Sequence, residues 1–335
     1  MDDYKEFKYN YILYNMETAY KWQMYQDLLK LDNVRMCRGA LPMNQPFLHK
    51  LHKLHWSAKV NEKINLPFKK LWFKRMTDGK FHNNKPICFI LFGGQYGVRE
   101  PRLLDYIKKS NPENKIVLHY RDIIKSEANH IDMLKEKTDL IYTYDKGESE
   151  KYGLYYYDAY VYSRLTETTE PDEFDYDLFF VGYAKDRLPL IHSVYKKVAD
   201  SGLKCKFLIV EAPEENRVNA DGIEYLDHVI PYKEVIDYVC KSKCILEITQ
   251  ENAEGATMRT AEAILYKRKL LSNCKRASER PHYNPVHMKE FSGADDIDVN
   301  FIKEKIPYNK LESIDAFSPI KELEFLENFF ESENK

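Results

Sequence analysis

Residues 243–272, KCILEITQENAEGATMRTAEAILYKRKLLS, decide how the chain folds. An apolar run of strand length, residues 244–248, gives way to a polar turn. A helix is expected to open near Thr257, and a second strand at 269–272. Strand, turn, helix and strand in this order are the repeating unit of a parallel α/β sheet. Glu254 and Glu262 are separated by seven residues, with Gly255 and Thr257 at the turn. Such a turn aims free backbone N–H groups and the positive end of a helix dipole at the mouth of the sheet, where a diphosphate is held well. A carboxylate one or two turns into the helix then reaches ribose hydroxyls.

Working outward, the same alternation fills both halves of the chain. Downstream of residue 176, strands are expected at 178–182, 205–210, 223–225, 244–248 and 269–272, and helices at 189–201, 232–240 and 257–266. Upstream, strands are expected at 9–14, 34–37, 87–92, 116–120 and 140–144, and helices at 18–30, 101–110 and 122–136. The polar, acidic run TETTEPDEFD (166–175) separates the halves and reads as a linker. Residues 320–330 space their apolar positions as a terminal helix does.

The bulk numbers set limits. With 335 residues, 44% hydrophobic and 31% charged, the chain is long enough for two cores and has the composition of a globular protein. A net charge of −2 gives no global attraction to nucleic acid or anionic lipid. Six scattered cysteines form no CxxC pair and are expected as free thiols. No signal-peptide pattern and no long apolar run is visible, so a cytoplasmic location is expected.

Three segments carry a family resemblance: FFVGYAKDRL (179–188), VIPYKEVIDYVCKSKCILEI (229–248) and the pair Glu254-x7-Glu262. Together they resemble the donor-binding half of GT-B glycosyltransferases, particularly bacterial ones that build capsule, O-antigen lipopolysaccharide or exopolysaccharide. The resemblance covers residues 176–272. It implies an α/β fold of two Rossmann-like domains, their parallel sheets facing across a cleft. Residues 1–168 would form the acceptor domain, 169–318 the nucleotide-sugar donor domain, and 319–335 a helix packing back on the first. The implied activity moves a sugar from a nucleotide-diphosphate donor to a saccharide acceptor, lipid-linked at the cytoplasmic face of a membrane. No cofactor and no metal are implied.

Donor-side candidates follow. Gly182 ends a strand, and Lys185 and Arg187 after it can neutralise a diphosphate or simply sit solvated at a helix start. Gly255 permits close backbone approach, and Thr257 can cap the helix while offering its hydroxyl to a phosphate. Arg259 in the first turn opposes the helix dipole unless an anion is near. By resemblance Glu262 binds the ribose and Glu254 acts at the transferred sugar, with Glu251 its competitor. Pro231 stiffens the turn before a helix, which in the family frames the nucleobase. Tyr232 either stacks on that base or packs in the core.

Acceptor-side candidates are fewer. An inverting enzyme needs a general base, for which Asp122 or Asp145 is placed by topology; the E-x7-E pair leans toward a retaining one. Residues 49–75 carry Lys50, Lys53, Lys59, Lys63, Lys69, Lys70, Lys74 and Arg75 against the single acid Glu62, interleaved with Trp56, Phe68, Trp72 and Phe73. This composition suits an anionic membrane surface or a lipid-pyrophosphate acceptor. It equally describes a solvated helix face with aromatic anchors, and nucleic acid favours the same residues. His49, His52 and His55 lack an accompanying acid or thiol, so no metal is assigned to them. Gly93-Gly94 lacks the dinucleotide spacing, which excludes NAD. Asp295, Asp296 and Asp298 read as helix caps. Rival readings are a nucleotide-sugar epimerase, a non-catalytic assembly subunit of the same fold, and a nucleic-acid binder.

Overall fold

The computed structural model describes residues 6–14, 16, 19–37, 46–61, 63–64, 66–158, 160–168, 170–250, 253–307, 310–311 and 315–333. They form two compact units: residues 1–157 with 319–335, and residues 158–318. Each unit is built on a six-stranded sheet whose pairings are all parallel. Two Rossmann-like α/β units are therefore present.

In the first unit the strands are β1 (Asn10–Tyr14), β2 (Val34–Met36), β3 (Ile87–Phe92), β4 (Lys115–Tyr120), β5 (Leu140–Thr143) and β6 (Tyr155–Tyr156), in the order β2-β1-β3-β4-β5-β6. Its helices are α1 (Ala19–Met24), α2 (Pro46–His55), α3 (Ala58–Asn61), α4 (Lys69–Thr77), α5 (Gln95–Arg99), α6 (Arg102–Ser110), α7 (Ile131–Lys137) and α8 (Lys146–Tyr152). The strands read as nearly continuous apolar runs because helices cover them: Phe89, Leu91, Ile116 and Leu118 pack with Leu104 and Ile107 of α6 and Leu134 of α7.

The second unit holds β7 (Tyr176–Tyr183), β8 (Cys205–Val210), β9 (Ile223–Leu226), β10 (Ser242–Glu247), β11 (Lys269–Ser272) and β12 (Met288–Glu290), ordered β12-β11-β10-β7-β8-β9. Helices α9 (Leu188–Ala199), α10 (Tyr232–Cys240), α11 (Met258–Leu265) and α12 (Val299–Lys303) accompany them. Leu178, Phe180, Phe207, Ile209 and Leu246 meet Ile191, Val194 and Val198 of α9 to make its core.

The last helix, α13 (Pro319–Glu333), belongs to the first unit. Two buried carboxylates fix it there. Glu327 accepts from Tyr11 Oη (2.6 Å) and from the backbone N–H of Lys8 and Tyr9. Glu322 accepts from Tyr142 Oη and lies 2.7 Å from His119 Nδ1. Burial pushes the His119 imidazole below its ordinary value, although Glu322 beside it pulls the other way.

The units divide between 157 and 158, ahead of the expected 168. Residues 160–168 are stitched into the second unit: Tyr162 N donates to Phe317 O, and Leu165 N to Tyr266 Oη.

Candidate functional site

In an open parallel sheet, ligands bind at the carboxyl ends of the strands where the winding reverses. In the second unit the chain starts at β7, winds outward through β8 to β9, then returns to the other side of β7 for β10, β11 and β12. The reversal lies between β7 and β10. β7 carries Gly182 and leads into Lys185–Arg187, and β10 leads toward the described residues 253–257. Both motifs therefore end at the same carboxyl edge, on adjacent strands.

Arg187 ties the two strand ends together. Its Nη1 donates to Ile248 O after β10 (2.5 Å) and its Nη2 to Tyr183 O at the end of β7 (2.5 Å). A Cβ at Gly182 would crowd Phe180 Cζ at 3.2 Å while meeting Arg187 Nη2 at an ordinary 3.5 Å. Burial pulls the Arg187 guanidinium below its ordinary value, and the charge of nearby Arg259 adds to this. Arg187 is thus a clamp on backbone carbonyls. Lys185, by contrast, is exposed.

Backbone strain collects at the same edge. Lys185 (φ +42°) follows β7, Glu211 (φ +56°) follows β8 and Arg276 (φ +63°) follows β11, all in the left-handed region that side chains disfavour. Strain of this kind persists only where surrounding structure enforces it, and it clusters at binding sites.

The sequence reading missed the hub of the site, Glu247. This buried carboxylate at the end of β10 accepts from Thr257 Oγ1 (2.5 Å), Thr257 N (3.3 Å), Thr260 Oγ1 (2.9 Å) and Ser272 Oγ (2.5 Å). Thr257 caps α11 by accepting from Arg259 N (3.0 Å). Its hydroxyl proton is committed to Glu247, which corrects the expectation that Thr257 offers it to a phosphate. The carboxylate also meets the positive end of α11, so that pole is already partly neutralised.

Glu262 is 0% exposed. One carboxylate oxygen accepts from Tyr232 Oη (2.7 Å), the other pairs with Arg259, and Tyr232 also bonds Tyr162 Oη. Burial raises the Glu262 carboxyl, with Arg259 and Tyr232 opposing. As it stands the carboxylate is closed to solvent, and a ribose reaches it only if Arg259 swings aside. Tyr232 is likewise buried at the first turn of α10, so of the two roles open to it core packing is the one realised. Pro231 precedes it at the surface, and its carbonyl accepts from Glu234 N.

Glu254 is half-buried and its carboxylate lies 3.3 Å from Arg276 Nη1, while its carbonyl accepts from Arg280 Nη2 (2.8 Å). Gly255 is buried. Glu251, the competing acid, lies outside the described residues. Gly182, Lys185, Arg187, Glu254, Gly255, Thr257 and Arg259 thus lie at or after the adjacent carboxyl ends of β7 and β10. Pro231, Tyr232 and Glu262 join them through the Tyr232–Glu262–Arg259 chain.

In the first unit, Asp122 is exposed two residues beyond β4. Asp145 is buried, and its side chain caps α8 by accepting from Glu148 N (2.9 Å), which occupies it structurally. Glu148 was not foreseen. It is buried, accepts from Ile124 N (2.5 Å), and burial pushes its carboxyl up to about 7.

Residues 49–75 require corrections. Trp56 and Trp72 are 6% and 8% exposed, so neither faces a membrane or acceptor. Trp72 Nε1 donates to His55 Nδ1 (2.8 Å) and His52 stacks on Trp56, which explains the histidine spacing as packing. Lys69 is buried against Glu100 (2.5 Å) and Asn61 Oδ1 (2.5 Å), because a desolvated ammonium needs such partners. Lys50, Lys53 and Lys70 are exposed. Glu62 lies outside the described residues. Asp296 and Asp298 cap short helical turns, accepting from Ser292 N and Gly293 N and from Asn300 N and Phe301 N.

No protein family matches the chain. No curated protein matches it either. Among solved structures, it is similar to the β-glucosyltransferase of T4 phage, with 11% identity over 96% of this chain and 98% of that one and a TM-score of 0.45. It is also similar to an α,α-trehalose-phosphate synthase (UDP-forming) from Burkholderia vietnamiensis (8% identity, 95% and 94% of the two chains, TM-score 0.46). A glycosyltransferase from Rickettsia africae ESF-5 gives 10% identity over 95% and 84%, with a TM-score of 0.45. Likeness at this level carries nothing about substrate or mechanism.

Proposed function

We propose that this chain is a GT-B glycosyltransferase whose second unit holds a nucleotide-diphosphate sugar at the β7–β10 crevice. The reading is carried by one observation: the two motifs that resemble GT-B donor segments, remote in sequence, end at the single winding reversal of their sheet. Around that reversal stand Lys185, Arg187, Arg259 and Arg276; Lys185 is exposed, and on this reading Arg259 and Arg276 leave Glu262 and Glu254 to meet a diphosphate and the charge it gains as a leaving group. On this reading the diphosphate is met by these cations and not by a metal. Glu254 faces the transferred sugar, the 229–231 turn frames the base, and Glu262 takes the ribose once Arg259 turns to the phosphates. The first unit receives a saccharide acceptor, in keeping with surface-polysaccharide enzymes, with Asp122 as its base.

One observation favours a non-catalytic relative of the same fold. The α11 pole faces Glu247, and Glu262 is sealed by its own neighbours. A relic that no longer binds nucleotide would be expected to look like this.

Thermal melts with UDP, GDP, CDP and dTDP separate the two. Under the transferase reading one diphosphate at millimolar concentration raises Tm by mass action, and Lys185→Ala, at an exposed position, removes most of that shift. If none of the four moves Tm, the transferase reading fails and the relic stands.

A further inference from the structure

Twelve large apolar side chains are conspicuously exposed among the described residues, and five of them fall between residues 47 and 71. Phe47 is 75% exposed, Phe68 74%, Leu71 66%, Ile64 60% and Leu54 48%. Phe47, Lys50 and Leu54 lie at i, i+3 and i+7, on one face of α2. Lys70, Leu71, Lys74 and Arg75 form the outer side of α4, opposite the buried Lys69, Trp72, Phe73 and Met76. The helices are locked together behind these faces by the Trp72–His55 hydrogen bond and the His52–Trp72 contact.

Two independent features say this is not an incidental patch. Phe68 caps α4 in the left-handed region (φ +65°), a costly conformation for a bulky residue, and presents its ring to solvent. The exposed charge is also of one sign. Lys50 and Lys53 on α2, Lys59 and Lys63 between the helices, and Lys70, Lys74 and Arg75 on α4 are all exposed, with no acid among the described residues of the segment. This is in a chain whose net charge is −2.

We propose that the α2–α4 segment docks on an anionic lipid surface, Phe47, Leu54, Ile64, Phe68 and Leu71 entering the interface and the lysines meeting headgroup phosphates. Protruding aromatic and aliphatic side chains ringed by lysine match the depth profile of a bilayer interface, apolar below and anionic above. A second copy of this chain would bring the same cations face to face, which disfavours a symmetric contact. Nucleic acid rewards the cations but not five protruding apolar groups. The inference does not rest on the transferase reading, since vesicle binding requires no nucleotide.

Co-sedimentation of the full chain tests it, with vesicles of phosphatidylcholine alone and of equal parts phosphatidylcholine and phosphatidylglycerol. Binding to the mixed vesicles, weakened by salt, is expected. Phe68→Ser with Leu71→Ser should lower the partition at least about tenfold, with Tm unchanged because both side chains are exposed. Lys50→Gln with Lys53→Gln should reduce the preference for phosphatidylglycerol. No binding to the mixed vesicles, or equal binding by the serine variant, overturns the proposal. So does an oligonucleotide bound in place of vesicles, or a dimer in sedimentation that the serine variant dissolves.

Discussion

Replacing Glu247 by alanine tests the hub on which the candidate site is built. The carboxylate accepts four hydrogen bonds, from both donors of Thr257 and from Thr260 and Ser272. Hydrogen bonds to charged groups contribute about 1.5–3 kcal/mol each. Against this stands the penalty of several kcal/mol for burying the ion. Removing the acceptor strands the buried hydroxyls of Thr260 and Ser272 and the half-buried one of Thr257 and opens a small void, for a net loss of about 3 kcal/mol. For a unit of this size that lowers Tm by about 6–12 °C. Glutamine keeps one acceptor oxygen but turns the other into a donor facing Ser272, so Glu247→Gln should cost about 1 kcal/mol. Calorimetry of the two variants against the native chain reads both values. Because Glu247 holds the cap of α11, the alanine variant should also lose any nucleotide-induced rise in Tm. An alanine variant that melts with the native chain would refute the hub, and with it the account of how the 253–257 turn is held.

Other consequences are open to direct measurement. Burial, with the Asp145 charge adding and Lys151 opposing, raises the Glu148 carboxyl from 4.5 to about 7. A carboxyl raised on folding supports stability fully below its unfolded pKa, and the support is lost as pH rises through the folded value. Glu148→Gln should therefore flatten the fall in urea midpoint between pH 4.5 and about 7; an unchanged slope would mean that the carboxyl does not titrate there. Glu322→Ala leaves Tyr142 Oη without its acceptor, removes the carboxylate 2.7 Å from His119 Nδ1, and should free α13, seen as faster amide exchange in residues 319–333. Exchange unchanged from native would show that packing alone holds the helix. Gly182→Val pushes a side chain against Phe180 and Arg187 and should weaken nucleotide binding more than it lowers Tm. Equal affinity in that variant would remove Arg187 from the site.

Much of the fold can be read from the sequence because parallel strands covered on both faces are apolar throughout. ICFILF, CKFLIV and KLLS fold as β3, β8 and β11 at the expected positions. The two-residue β6 and three-residue β12 are too short for a period to register. The helix expected over 122–136 begins only at Ile131, after a turn held through Ile124 N on Glu148, a contact with a residue far along the chain. In the candidate site, the glycines, the cations and the cap are visible as local chemistry. The enclosure of Glu262 depends on Tyr162 and Tyr232, which only the folded chain brings together. Glu247 carried a signal that was overlooked: an acid at the end of a buried apolar strand must find donors. In 49–75, composition mixed two populations that helical phase separates, Trp72, Phe73 and Met76 inward and Phe68 and Leu71 outward.

The placement of α13 sets an order of events during synthesis. The second unit is a contiguous stretch and has every strand it needs once residue 318 has emerged. The first unit starts earlier, yet Tyr11, Tyr142 and His119 wait for Glu327 and Glu322, more than 170 residues after the last of them. Domains made first on the ribosome usually close first. Here the unit made earlier is closed later, and until then the hydroxyls of Tyr11 and Tyr142, buried in the finished fold, have no carboxylate to accept from them.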